Sequence, residues 1–88
     1  MTSPYAINTM QRGDTAIITA VDPDGRDPVS ARRLHEMGFD EGVDIELLHR
    51  APLGGDPLAL RVGNMTVALR QALAALVEVK PATDALAA

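Results

Sequence analysis

Apolar and polar positions alternate along much of this chain, in short runs. Residues 14–21 (D-T-A-I-I-T-A-V) are rich in β-branched side chains and predict a first strand. Ala16, Ile18 and Ala20 fall on one face, Ile17 and Val21 on the other, which suits a small barrel better than the edge of an open sheet. Residues 43–48 (V-D-I-E-L-L) turn Val43, Ile45 and Leu47 inward and Asp44 and Glu46 outward. Residues 58–62 and 65–69 alternate as well, separated only by Gly63-Asn64. A two-residue Gly-Asn link between alternating runs predicts a hairpin, because primed turns match strand twist. Residues 70–73 read as one helical turn, and 76–79 (L-V-E-V) as a short closing strand.

Between the first two strands, residues 22–28 (D-P-D-G-R-D-P) form a dense turn signal. Ser30 is expected as an N-cap, and 31–37 (A-R-R-L-H-E-M) as a two-turn helix with Leu34 and Met37 on its docking face and Gly38 just past its end. So short a helix depends on packing against a sheet. Residues 1–13 have no clear period and are expected as an N-terminal segment with a short turn, and 80–88 as a flexible tail, which leaves 14–79 as the domain. About five short strands, tight turns and one short helix predict a mainly β fold, a small antiparallel barrel whose closure or near-closure removes exposed edges.

Composition narrows the function classes. With 88 residues the chain is one small domain, burying about 60–65% of its unfolded surface. Alanine accounts for 14 of its apolar residues, so the larger core-formers suffice for one core and leave little room for a deep cleft. Eight basic residues against twelve acidic ones give a net charge of −4, which argues against nucleic acid and against an anionic membrane surface as partners. Cysteine is absent, which excludes disulfides, thiolate metal sites and cysteine nucleophiles. The start is mixed and polar, and the longest apolar run, 72–77, is far short of the 18 or so residues of a membrane span. The chain reads as cytoplasmic.

Catalytic motifs find no footing. No serine lies in a G-x-S-x-G context, and no nucleophile–base pair can be assembled, so a small hydrolase is disfavoured. His35 and His49 are the histidines, the first in the helix and the second at a strand end. Each is either a solvated side chain or a metal ligand. No H-E-x-x-H or similar spacing accompanies them. Asp22, Asp24 and Asp27 partly match a calcium loop but lack its glycine at the sixth position and its glutamate at the twelfth, which is Arg33. A plain Asp-rich turn is the simpler reading. Leu53-Gly54-Gly55-Asp56 has no phosphate-binding context and reads as a flexible hairpin tip.

Surface features remain. Leu53 sits between two prolines in 50–57 (R-A-P-L-G-G-D-P) with no period to bury it. It either caps the barrel end or stands out as an apolar anchor for a partner protein. The Arg32-Arg33 pair gives the helix either a solvated face or a basic contact surface, with Glu36 within pairing distance along the helix.

These motifs together resemble the FeoA family. The resemblance rests on Ala31-Arg32-Arg33-Leu34-His35-Glu36-Met37-Gly38-Phe39 with Gly42-Val43, then on residues 49–58 (H-R-A-P-L-G-G-D-P-L). It continues through Val62-Gly63, Val67-Ala68-Leu69-Arg70 and Ala75-Leu76-Val77-Glu78-Val79. It implies an SH3-like barrel and a non-enzymatic accessory protein of bacterial ferrous iron uptake, without a cofactor, that acts on the cytoplasmic GTP-binding region of the transporter FeoB. Leu53, Gly54, Gly55, Asp56 and Pro57, with Arg32 and Arg33, are the expected contact residues. The same barrel occurs as the C-terminal domain of DtxR-type repressors. This keeps an alternative, a metal-responsive regulatory domain binding a divalent ion through His35, His49 and nearby carboxylates. The chain departs from the family pattern at Gly54-Gly55, one residue longer than the shortest loop and expected to be looser, and at Asp40-Glu41, where Thr-Pro is frequent.

Overall fold

A computed structural model describes residues 5–52 and 54–82. Six strands form one sheet: β1 (Tyr5–Ala6), β2 (Thr15–Val21), β3 (Asp44–Arg50), β4 (Leu58–Val62), β5 (Met65–Leu69) and β6 (Val77–Pro81). Their order across the sheet is β1-β6-β2-β3-β4-β5, with every neighbouring pair antiparallel. Two helices interrupt them, α1 (Pro28–Glu36) and the single turn α2 (Gln71–Ala74), and a 3₁₀ turn at Ile7–Thr9 follows β1.

The mainly β antiparallel fold is as the alternation predicts, and β4 and β5 keep the predicted bounds. Gly63 takes a φ of +58°, the positive value that a primed hairpin turn needs at its first central position. The strand count is six where about five were expected, because β1 has only two residues and cannot show a period. Tyr5 pairs with Val79 and Ala6 with Glu78, and behind them Ile7 and Met10 enter the core. Residues 80 and 81 belong to β6, where Lys80 pairs with Ile17 and Pro81 with Ala16.

One face of the sheet is apolar throughout. Ala16, Ile18, Ile45, Leu47, Leu58, Leu60, Val62, Leu69, Val77 and Val79 are all buried on it, and Leu34 and Phe39 close over them from α1 and the segment after it. Two short helices are too little to cover so wide a face, so the sheet curls around its own core. Register irregularities between Ile18 and Ala20 in β2, and between Leu47 and His49 in β3, supply the local bends that curling requires. A Cα radius of gyration of 12.1 Å is that of a fully compact chain of this length, about 12 Å.

Helix α1 begins earlier than its expected start. Asp27, not Ser30, is the N-cap: its Oδ1 accepts the backbone N–H of Ser30 at 3.1 Å, and Pro28 occupies the first turn, where a missing N–H costs nothing. Upstream, Asp22 takes a left-handed φ of +49° and is buried. Its carboxylate accepts the N–H groups of Arg26 (3.1 Å) and Asp27 (2.9 Å). Asp22 and Asp27 are thus engaged in folding the turn and starting the helix, the plain reading of the Asp-rich string. Gly38, at φ +100°, ends the helix as expected.

Candidate functional site

The loop between β3 and β4 is built from its flanks inward. Arg50 ends β3 and sends one guanidinium nitrogen, Nη2, to the carbonyls of Asn8 and Met10, both at 2.7 Å. This ties the foot of the loop to the N-terminal 3₁₀ turn. Across the neck, Ala51 N–H donates to the Pro57 carbonyl and Gly55 N–H to the Ala51 carbonyl, both at 3.1 Å. Gly54 and Gly55 adopt φ values of +75° and +70°, which let the chain reverse.

The far side of the loop is held by α2. Asp56 Oδ1 accepts the backbone N–H of Gln71 at 3.0 Å, satisfying the first free donor of that helical turn. The Gln71 side chain answers by donating Nε2 to the carbonyls of Gly54 and Gly55 at 3.2 Å each. A Cβ placed on Gly55 would stand in ordinary contact with Gln71 Nε2 at 3.5 Å and Arg50 Cδ at 3.6 Å, so the positive φ, and not lack of space, is what favours glycine there. Within the loop expected to be loose, Gly54, Gly55 and Asp56 are tied to Gln71, and Pro57 to Ala51. Leu53 lies outside the described residues.

Sequence reasoning did not single out Arg50 or Gln71 as the residues that shape this loop. Arg50 lies within residues 49–58, but its partners are carbonyls forty-two and forty residues away, so no local pattern points to them. Gln71 gave no signal, because its partners are carbonyls sixteen and seventeen residues away.

The exposed side of α1 forms a second candidate surface. Arg32 is exposed and pairs with Glu36 one turn on at 3.8 Å, a solvent-screened contact that contributes little to stability. Arg33 is exposed, with no ion pair or side-chain hydrogen bond among the described residues. Val29, 71% exposed, is an apolar side chain left in solvent near the start of the helix. Pro28, Ala31, Arg32, His35 and Glu36 recur at helical spacing and line an open groove of about 580 Å³, walled opposite by Val21 and Asp22. No hydrogen bond or ion pair among the described residues joins this surface to the β3–β4 loop.

The histidines do not converge. His35 Nδ1 lies 2.8 Å from Asp40 Oδ1, linking the last turn of α1 to the loop behind it. His49 is an exposed residue of β3, opposite Ala59. Among the described residues no three His, Asp or Glu side chains are grouped so as to hold a metal ion. The metal-responsive reading therefore draws no support from them.

The Asp27 carboxyl is held below the ordinary carboxylate range, first by the backbone N–H of Ser30 and then by the Ser30 side chain, both of which favour its charged form. It is a helix cap rather than a reacting group.

A curled six-stranded antiparallel sheet with one short packed helix defines a small β domain of SH3-like type. The FeoA domain model matches residues 5–81, and the chain belongs to the FeoA family. Among solved structures, the FeoA-like protein of Clostridium acetobutylicum is 26% identical with a TM-score of 0.79, over 92% of this chain and 90% of that one. The FeoA of Stenotrophomonas maltophilia, solved with zinc, is 31% identical with a TM-score of 0.73, over 85% of this chain and 88% of that one. That protein is described as a prokaryotic SH3 domain protein and a candidate activating factor of bacterial ferrous iron transport. A manganese-dependent transcriptional repressor, 20% identical with a TM-score of 0.78, shares the fold over 92% of this chain and 43% of its own. A search of curated proteins returned no match. No helix among the described residues is long and apolar enough to cross a membrane.

Proposed function

We propose that this chain is a non-enzymatic accessory domain of bacterial ferrous iron uptake, working in the cytoplasm by binding the cytoplasmic GTP-binding region of the transporter FeoB. Family membership supports the process, as does the description of the Stenotrophomonas relative. The observation that carries the binding role is the pinned loop. Asp56, Gln71 and Arg50 hold residues 54–57 and their flanks before any partner arrives. A surface ordered in advance loses less conformational freedom on binding. Gly54, Gly55, Asp56 and Pro57 form the contact, with Leu53 as its apolar anchor, and Arg32 and Arg33 on α1 provide a second, basic contact.

Calorimetric titration of the full chain into the soluble GTP-binding region of the transporter tests this. Saturable binding is expected, weakened about tenfold or more by Arg32→Glu combined with Arg33→Glu while the melting temperature is unchanged. Absence of binding in every nucleotide state overturns the proposal.

A further inference from the structure

β5 (Met65–Leu69) is an end strand of the sheet, paired with β4 on one side and with no other strand among the described residues. Its register fixes which main-chain groups are left over. The two-residue turn makes Val62 and Met65 a hydrogen-bonded pair, and bonded and non-bonded pairs then alternate along the ladder. Leu60 with Val67 and Leu58 with Leu69 are bonded pairs, whereas Arg61 with Thr66 and Ala59 with Ala68 are not. Met65, Val67 and Leu69 therefore turn N–H and C=O toward β4, while Thr66 and Ala68 turn theirs away from the sheet. Both residues are exposed, and no hydrogen bond to any described part of the chain uses these groups. The usual devices that blunt such an edge are absent from M-T-V-A-L, which has neither proline nor charge.

A second observation falls on the same strand. Met65 is 56% exposed, yet it shares its face with Leu69, the buried core residue four positions on. A large apolar side chain thus stands in solvent at one end of an open edge, on the core side.

We infer that β5 pairs with β5 of a second copy of this chain, antiparallel across a twofold axis at Val67. In that register Thr66 faces Ala68 of the second copy, and the reverse. The two outward N–H and two outward C=O groups of each copy then close four hydrogen bonds with none left over. Val67 meets its own copy at the close, non-bonded spacing, a favourable β-branched cross-strand pair. Met65 falls opposite Leu69 of the second copy, whose side chain is already buried, so the second strand withdraws part of the exposed Met65 from solvent without joining the two cores. Arg70 falls opposite Asn64 of the second copy, so the register opposes no like charges. An unrelated extended peptide could satisfy the main chain, but self-pairing also gives Met65 a place. Two five-residue strands cover less than the roughly 1,200–2,000 Å² of a stable complex, so the dimer is weak and concentration-dependent. Each chain carries a net charge of −4, and salt strengthens the pairing by screening it.

Sedimentation velocity of the full chain from about 10 μM to about 1 mM, with amide exchange at both ends of the range, tests this. A monomer–dimer equilibrium is expected, with protection at the Thr66 and Ala68 amides rising with concentration. Thr66→Pro removes an outward N–H that β4 does not use and should hold the chain monomeric. Thr66→Glu, which leaves the backbone unaltered, sets two carboxylates diagonally across the axis, adds to the net negative charge of each chain and should weaken the dimer about threefold at low salt. If Thr66→Pro does not fold, Thr66→Glu decides. A monomer at every concentration, or a dimer that Thr66→Glu leaves intact, overturns the inference.

Discussion

The carboxylate of Asp56 accepts the backbone N–H of Gln71 at 3.0 Å, fastening the β3–β4 loop to the first turn of α2. Because the Gln71 side chain returns to the carbonyls of Gly54 and Gly55, removing it should free the loop without touching the core. Gln71→Ala is expected to speed amide exchange at Gly55 while leaving Leu60 unchanged. Its cost in stability should be about 0.5–1.5 kcal/mol, toward the lower end because the freed carbonyls can bond to water. Asp56→Asn keeps an acceptor for the Gln71 N–H and should perturb exchange less than Asp56→Ala.

Much of this architecture is legible in the sequence because alternation is a direct record of a one-sided sheet. Ile45 and Leu47, and then Leu58, Leu60 and Val62, announce their face by spacing alone, and each of them is buried. What stays hidden depends on contacts far apart in the chain. Ile7 and Met10 look like part of a patternless start until Tyr5 and Ala6 find β6 more than seventy residues later. Asp27 is overlooked as the cap because Ser30 is an equally good cap by residue type, and only the fixed φ of Pro28 favours the earlier start. The candidate surface divides in the same way: its glycines and prolines can be read from the chain, whereas the long-range bonds from Arg50 and Gln71 cannot.

Leu34 is the sharpest test of the core. It is fully buried and is the buried residue of α1, a nine-residue helix that depends on packing. Leu34→Ala should cost about 2–5 kcal/mol, the transfer energy of the lost methyls plus the cavity they leave. In a domain of this size that is a large share of total stability. Urea unfolding should show a much lower midpoint with an unchanged slope, and a shift under about 1 kcal/mol would mean that α1 is not a structural element of the core.

Leu53 separates two readings that its sequence leaves open. As the anchor of a partner contact, Leu53→Ala should weaken binding to the transporter's GTP-binding region about tenfold or more while the melting temperature stays within about 2 °C. As a cap on the barrel end, the same change should lower the melting temperature and affect binding only through loss of fold. Differential scanning calorimetry beside the binding titration distinguishes the two.

The pH dependence of α1 follows from Asp27. Its folded-state pKa lies below the ordinary value because the Ser30 backbone N–H, and then the Ser30 side chain, favour the carboxylate. A depressed folded pKa means that the unfolded chain binds the proton more readily, so the stabilisation is fully present above the unfolded carboxylate value, about 3.9. It is then lost progressively as the pH falls through that value toward the folded one. Asp27→Asn retains an oxygen that can accept from Ser30 but cannot titrate. Its melting temperature at neutral pH should sit near that of the parent, whereas Asp27→Ala should fall by a few degrees. Between about pH 5 and pH 3 the parent should lose more stability than Asp27→Asn does. Parallel curves for the two proteins across that window would show that the Asp27 charge plays no part in holding the helix start.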